Sequence, residues 1–415
     1  MRIKVPVVPA SFFGMVIGLA GLGAAWRWAH QVWGLPAVVG EAIIWLSIAV
    51  WAGLTILYMA KWSVARDDAR AEVADPVQCC FVGLIGVATM LVAGGIQPYS
   101  PPLAVILFTA GAAFAIGFAV WRTGGLWQGE REHAATTAVL YLPTVAGTFV
   151  SAITAAALGY ADWGQVIFGG GLFSWLAIES VLLGRMLTGP ELAAALRPTL
   201  GIQLAPAPVG AVAYLSVTQG PPDMFAHALI GYGLLQSLIL LRLLPWIGAG
   251  GFTPSYWAFT FGITALATAP LKLLARGDSG AIADLAGILF GAANLAVAAV
   301  MIGTVLLAIR GKLFAKTVTF PLLAHRSPVR RGGVAWQFMR TRPSTTLADS
   351  FTLLSCADPS AAVRASLRRR SKHEIGDGVT HRRQAWLRRW PVDSFFPAPL
   401  WRGDDTGGRR KRSLS

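Results

Sequence analysis

The sequence predicts an all-α integral membrane protein with ten transmembrane helices, arranged as five tandem helical hairpins around a central pore. Composition gives the fold class: hydrophobic residues make up 55% of the 415-residue chain and charged residues only 13%. About a quarter of the residues in a soluble domain are charged. A spanning helix needs about 20 mostly apolar residues, and the chain has ten such stretches.

The ten stretches follow one another through short polar connections that are rich in Pro and Gly, which are turn signals. The predicted spans are residues 9–28, 37–60, 77–96, 102–122, 135–158, 163–186, 199–218, 223–246, 254–275 and 282–309. Odd-numbered spans therefore begin about every 55 to 70 residues, as in transporters and channels built from repeated units. Ten helices of similar length with short loops would give the same spacing without a repeat.

The formal net charge of +15 is concentrated at one end of the chain. Residues 1–310 hold 14 Lys and Arg against 13 Asp and Glu, whereas residues 311–415 hold 21 against 7. We therefore divide the chain into a transmembrane domain, 1–310, and a basic cytoplasmic tail, 311–415. The tail shows no helical or strand periodicity, which predicts disorder. It could contact anionic lipid or nucleic acid, or be an extension without function, for instance one read in a shifted frame.

Basic residues also predict the orientation, because Lys and Arg accumulate in cytoplasmic loops. With both termini cytoplasmic, 11 of the 14 basic residues in 1–310 fall on or near the cytoplasmic side. Only Arg27, Lys272 and Arg276 fall on the other side. The basic N-terminus lacks a small-residue cleavage site, so we interpret it as the lead-in to the first span.

Small, hydroxyl and Pro residues recur at helical spacing on the odd spans. A Pro frees backbone carbonyls, which a membrane tolerates only against protein or a water-filled cavity. The odd spans could therefore surround a narrow, mostly uncharged pore, although close helix packing would use the same residues. The candidates for pore lining are Gly14, Gly18, Pro143, Thr144, Thr148, Ser151, Pro206, Thr264 and Thr268.

Few charges lie within the spans. Glu179 and Arg242 lie on even spans, near a predicted cytoplasmic end, and we interpret both as structural charges that snorkel or form an ion pair between helices. An intramembrane charge can also be functional. The six His and three Cys form no metal-ligand or disulfide pattern, and the nucleotide and hydrolase motifs are absent. The sequence therefore predicts no enzyme, no cofactor and no metal.

Several segments carry a family resemblance, among them "PASFFGMVIGLAGLGAAWR", "YLPTVAGTFVSA", "GIQLAPAPVGAVAYLS" and "YWAFTFG". Together they resemble the tellurite-resistance/dicarboxylate transporter family, in particular its bacterial TehA-like members, over most of residues 6–310. The family also includes malate and sulfite permeases of yeast type and slow anion channels of plant guard cells. The resemblance implies a homotrimer in which the odd helices of each protomer line their own pore.

The resemblance also implies a Phe that plugs the pore, here Phe261, and a glycine near the plug, here Gly14. Related proteins carry Pro in the first and third helices, where this chain has Val16 and Gly86. Gly86 is therefore a further candidate for pore lining. Phe259, two residues before Phe261, points to another side of the helix and is expected to pack against protein.

We therefore expect a channel or transporter of the bacterial inner membrane that moves small anions through a Phe-gated pore. Candidate substrates are dicarboxylates such as malate, tellurite, sulfite, chloride and nitrate. Two alternatives stay open. An ion-coupled secondary transporter of another helical family should present an acidic group to its cavity, and a membrane receptor or structural protein should carry no flux.

Overall fold

The computed structural model describes residues 2–129, 131–314 and 317–321; the predicted disorder of the tail beyond residue 321 lies outside them. Within the described residues, ten helices are long and apolar enough to cross a membrane, which confirms the predicted number. In chain order, α1 to α10 are Ala10–Trp33, Ala37–Val64, Cys79–Ile96, Pro101–Trp127, Ala138–Ala157, Ala161–Thr188, Ala194–Val217, Met224–Gly250, Pro254–Ala275 and Ala281–Ile309. A shorter helix, Arg66–Ala74, lies between α2 and α3.

Two short strands flank the ten helices. Strand β1, Arg2–Pro6, pairs antiparallel with β2, Thr317–Pro321. The pairing holds the segment before α1 and the segment after α10 at the same end of the bundle, as an even number of spans requires. We did not predict a strand at 317–321, because its partner lies at the other end of the chain and leaves no local signal.

The odd spans form an inner ring and the even spans an outer one. Each odd span packs against the next odd span, and α9 packs back against α1 to close the ring. Each even span packs against the odd spans before and after it, with α10 against α9 and α1. In their most apolar windows the odd spans are 67% to 83% buried and the even spans 11% to 33%. Five tandem hairpins around a central axis are therefore the observed arrangement.

All five odd spans have irregular backbone at their N-terminal ends, whereas α2, α4, α6 and α10 are each one continuous α-helix. The irregular parts are 3-10 turns at Ala10–Phe12, Ala138–Leu140, Ala194–Leu204 and Pro254–Phe259, a π-helical turn at Leu142–Ala146 and a break at Gly83 between Cys79–Val82 and Leu84–Ile96. Such backbone leaves polar groups that lipid cannot satisfy, so it requires the protein interior. The inner ring supplies that interior.

Glycines on α1 allow the ring to close. A Cβ atom on Gly18 would lie 2.1 Å from Thr260 Oγ1, and one on Gly21 would lie 2.3 Å from Thr264 Oγ1. Both hydroxyls donate to carbonyls within α9, from Thr260 to Trp257 O and from Thr264 to Phe261 O. The helices α1 and α9 approach this closely because α1 has no side chains at these two positions.

A similar approach joins α3 to α4. A Cβ atom on Gly86 would lie 2.7 Å from the carbonyl oxygen of Gly111 on α4, and a backbone oxygen cannot move aside as a flexible side chain can. On α4 itself, a Cβ atom on Gly117 would meet no atom within 4 Å. Substitutions at these two glycines therefore form a matched pair for measuring how much the α3–α4 contact contributes to the free energy of unfolding.

Gly86→Ala is expected to lower the free energy of unfolding by about 1–3 kcal/mol, because the added methyl group overpacks the α3–α4 contact. Gly117→Ala, on an open helix face, is expected to cause no loss. Thermal unfolding of the two purified variants in detergent, beside the wild type, measures the difference. Melting at the same temperature by both variants would show that the α3–α4 contact is looser than described.

Candidate functional site

The inner ring encloses a cavity of about 60 Å³ at the N-terminal ends of the odd spans, here called the N-side cavity. All five odd spans line it, mostly with apolar side chains, and none of its lining residues is Asp, Glu, Lys or Arg. Representative lining residues, in chain order, are Gly14, Ile17, Leu84, Phe149, Pro206 and Phe261.

A larger cavity of about 650 Å³ lies at the C-terminal ends of the same five spans, here called the C-side cavity. Its lining is more polar and includes Arg27, Lys272 and Arg276 but no Asp or Glu. These are the three basic residues of the domain that depart from the charge rule for cytoplasmic loops. Tertiary structure brings them together at one end of the ring axis, which the sequence analysis did not foresee.

Two of these three cations form no ion pair with any carboxylate that the structure describes. Lys272 Nζ donates to Ser216 Oγ at 2.8 Å and lies 4.6 Å from the centre of the Trp28 ring. Arg276 donates to the backbone carbonyls of Leu215 and Thr218. Neutral acceptors thus hold both side chains at the wall of the C-side cavity.

Arg27, in contrast, is paired. Its guanidinium donates to both carboxylate oxygens of Glu41, at 2.8 and 2.7 Å, and to the carbonyl of Gly95 at 3.0 Å. Tyr99 Oη also donates to Glu41. Glu41 is outside the cavity lining, so Arg27 presents a neutralised pair and adds little to the local positive charge.

One ionised carboxylate lies in the α7–α8 connection, beyond the C-side cavity. Burial raises the pKa of Asp223, but hydrogen bonds from Tyr214 Oη and the Ala226 amide, with the charge of Arg276, lower it overall. Asp223 is therefore ionised at neutral pH. It is not one of the residues that line the cavity.

The two cavities have no lining residue in common. Along α9 their linings are about 16 Å apart, from Phe261 to Lys272, but along α1 only about 5 Å apart, from Ile17 to Ala20, at 1.5 Å per residue. Phe261 is 8% exposed. Phe259 packs elsewhere, because a Cβ atom on Gly201 of α7 would lie 2.5 Å from its ring. Of the two phenylalanines, Phe261 is therefore the one at the cavity.

Three of the predicted site residues, Gly14, Pro206 and Phe261, meet at the N-side cavity. A Cβ atom on Gly14 would lie 3.4 Å from Trp257 Cβ, so α1 passes close to the start of α9 here. The three residues come from spans that are distant in sequence, and their role in a pore stays a prediction.

The other predicted lining residues are in the lining of neither the N-side nor the C-side cavity, and their place in the pore stays a prediction. Gly18 and Thr264 lie in the α1–α9 contact and Gly86 in the α3–α4 contact. Thr148 faces Gly171 of α6. Ser151 donates to Gly147 O and contacts Met90 Sδ. Close packing, the alternative for this pattern, accounts for these five.

Pro143, Thr144 and Thr268 also lie outside both cavity linings. Pro143 is in the π-helical turn of α5, and Thr268 donates to Thr264 O within its own helix. A hydroxyl that donates to a carbonyl of the preceding turn is satisfied within its own helix. The hydroxyl side chains that do line the cavities are Ser11, Tyr141 and Ser255 on the N side and Thr154, Ser216 and Thr218 on the C side.

Glu179 is buried on α6 and surrounded by neutral donors. Its carboxylate accepts hydrogen bonds from the side chains of Tyr141, Trp175, Gln203, Tyr232 and Gln236. These residues lie on α5, α6, α7 and α8, so one charge ties four spans together. The assignment of Glu179 as a structural charge fits this arrangement, although its partners are donors from Tyr, Trp and Gln, not a cation.

Arg242 differs from Glu179. It is exposed on α8 and forms no ion pair with any residue that the structure describes. Snorkelling toward the membrane surface is therefore the remaining explanation for this charge. Within the described ranges, no group of three or more His, Cys, Asp or Glu side chains could hold a metal ion.

Comparison with known proteins gives one family. A model described as "SLAC1: Voltage-dependent anion channel" matches residues 7–305. The chain is 38% identical to the tellurite resistance protein TehA homolog of Haemophilus influenzae over 261 residues, which is 63% of this chain and 79% of that protein.

Two plant proteins are more distant relatives. The S-type anion channel SLAH2 of Arabidopsis thaliana is 22% identical over 335 residues, covering 78% of this chain and 64% of the plant protein. The guard cell S-type anion channel SLAC1 of the same plant is 22% identical over 279 residues, covering 64% and 49%. The chain therefore spans less than two thirds of either plant channel.

Glu179→Gln is expected to lower the free energy of unfolding by at least about 2 kcal/mol, because an amide NH₂ would face buried donors. Asp162→Asn, an exposed change on the same helix, is expected to cost less than about 1 kcal/mol, its contribution at the helix N-terminus. Thermal melting and gel filtration in detergent compare the two. Equal melting temperatures would mean that Glu179 does not hold the four spans together.

Proposed function

Because the chain belongs to the SLAC1 family of voltage-dependent anion channels, we propose that it lets small anions cross a membrane passively along the axis of the inner ring. One observation carries the proposal: two cavities lie on this axis, each lined by all five odd spans. The lining of the C-side cavity includes Lys272 and Arg276 and no Asp or Glu, which favours anions over cations.

Phe261 is our candidate for the gate. It is the only aromatic residue of α9 that both follows the 3-10 turn and lines the N-side cavity. Rotation of the Phe261 ring or a small shift of α9 would change the width of the axis at Phe261. Opening therefore needs no movement of the whole ring.

The proposed substrates are small inorganic anions and dicarboxylates: chloride, nitrate, sulfite, tellurite and malate. The N-side cavity offers no charged side chain, so we propose selection by charge sign and size instead of specific anion recognition. An ion-coupled transporter is disfavoured, because a coupling site needs an acidic group at the cavity, and none of the residues that line the two cavities is Asp or Glu.

We propose a homotrimer in the bacterial inner membrane, with both termini cytoplasmic. The strand pairing of β1 with β2 supports a common side for both ends of the domain, and the distribution of Lys and Arg favours the cytoplasm. The even spans expose large apolar side chains, such as Phe173 at 72% and Ile288 at 69%, which suit lipid or another copy. Contact of the tail with anionic lipid stays a proposal.

Phe261→Ala is expected to raise anion conductance at least about tenfold in planar bilayers or oocytes, because truncation removes the side chain that closes the N-side cavity. Phe259→Ala is the matched control: it truncates the same side chain two residues earlier, where the ring packs against Gly201. It is expected to change stability but not conductance. Equal currents from wild type and Phe261→Ala, at equal expression, would refute the gate.

Lys272→Met is expected to lower anion conductance roughly threefold or more at low ionic strength, and by less as salt screens the remaining charge. Arg242→Met, which removes the same charge from an exposed site on α8, is the control. Currents at several salt concentrations measure the effect. A loss of equal size in both variants would attribute it to net charge, and no loss in Lys272→Met would exclude a role for the C-side cavity in attracting anions.

A further inference from the structure

A third cavity, of about 380 Å³, lies away from the ring axis. It is formed by the C-terminal ends of α6 and α8 and by the N-terminal ends of α5 and α7, with the segment before α5, and it shares no lining residue with the N-side or C-side cavity. Its central residue is Arg185 of α6, and we call it the Arg185 cavity. The argument below does not depend on conduction along the axis.

Arg185 is 6% exposed, yet its side chain has no hydrogen bond or ion pair with any residue that the structure describes, and its Nε is fully enclosed. Other buried charges in the described part have partners: Lys61 pairs with Glu72 at 2.8 Å, Glu179 accepts five hydrogen bonds, and Lys272 donates to Ser216. An unpaired buried charge is costly. A bound anion would remove that cost.

Further polar atoms at the cavity lack partners. Thr137 Oγ1 and Gln203 Oε1 are both buried without a hydrogen bond, and Thr136 adds a second hydroxyl to the wall. Glu191 also lines the cavity; its Oε1 accepts both from Arg197 at 2.8 Å and from Trp246 Nε1 at 2.7 Å, so its charge is paired. As far as the described residues go, the wall therefore offers one cation without a partner, two hydroxyls and the acceptor Gln203 Oε1.

We propose that the Arg185 cavity binds a phosphate-type oxyanion. A guanidinium presents several N–H donors in a plane, which suits the oxygens of a tetrahedral anion. The Thr hydroxyls can donate to the same anion, and a protonated phosphate oxygen can donate to Gln203 Oε1. The volume holds such an anion with several waters, each of about 30 Å³. Inorganic phosphate and the headgroup of phosphatidic acid share this chemistry.

The test is thermal unfolding of the full chain in detergent, with sodium phosphate against sodium chloride at matched ionic strength. A second arm replaces phosphate by a short-chain, soluble phosphatidic acid. Because a ligand that binds only the folded state stabilises it, the wild type is expected to melt at least about 2 °C higher with one of the two. The arm that gives the shift identifies the source of the oxyanion.

Arg185→Met should abolish this shift. It should also melt as high as the wild type without ligand, because replacing an unpaired buried charge by an apolar side chain is neutral or stabilising. Arg242→Met, an exposed arginine on α8, should keep the full shift. Thr137→Val, which is nearly isosteric, should weaken binding about threefold or more and allows the test even where Arg185→Met is unstable.

A wild type with no shift in either arm would overturn the proposal. So would an undiminished shift in Arg185→Met, or in Thr137→Val where Arg185→Met cannot be purified. A shift that Phe261→Ala loses and Arg185→Met keeps would instead assign the anion to the axis. That result would leave the proposed conduction intact, so the two proposals fail separately.

Discussion

The close contact of α1 with α9 is the constraint on which the structure depends. These spans lie at opposite ends of the transmembrane domain, and the inner ring closes only where they meet. At Gly18 and Gly21 the approach leaves no room for a Cβ atom beside Thr260 and Thr264. In lipid no hydrophobic force drives helices together, so this packing, with the hydroxyls satisfied inside α9, holds the ring closed.

Closure of the ring explains why the odd spans can begin with irregular backbone. Exposed to lipid, the 3-10 and π-helical turns would leave polar backbone groups without partners. Inside the ring these turns are protected, and they bend the N-terminal ends around a small apolar cavity. The even spans face outward with mostly apolar exposed residues, and they are continuous α-helices apart from the 3-10 turn that ends α8. The need to satisfy backbone polar groups in lipid therefore divides the ten helices into an inner, irregular kind and an outer, regular kind.

The charged side chains of the domain lie in two kinds of surroundings. Glu179 holds four spans through neutral donors, among them Tyr141 of the N-side cavity and Gln203 of the Arg185 cavity. Gln203 also donates to Tyr141 Oη at 3.1 Å, so the two cavities share a hydrogen-bonded wall. On the C side, Lys272 and Arg276 donate to neutral acceptors at the cavity wall. Arg27 does both, because it lines the C-side cavity and pairs with Glu41 of α2.

The sequence by itself determined the number of spans, their approximate limits and the hairpin order, because a long apolar run in a bilayer has to be a helix. With the family resemblance it also selected Phe261, Gly14 and Pro206. It could not separate pore lining from packing at Thr148, Ser151 or Gly86, since both uses show the same small or hydroxyl residues at the same spacing. Nor could it show that Lys272 and Arg27 line the same cavity, or that Arg185 has no partner among the residues that the structure describes. Those outcomes depend on which faces of distant helices meet, and only the closed ring decides that.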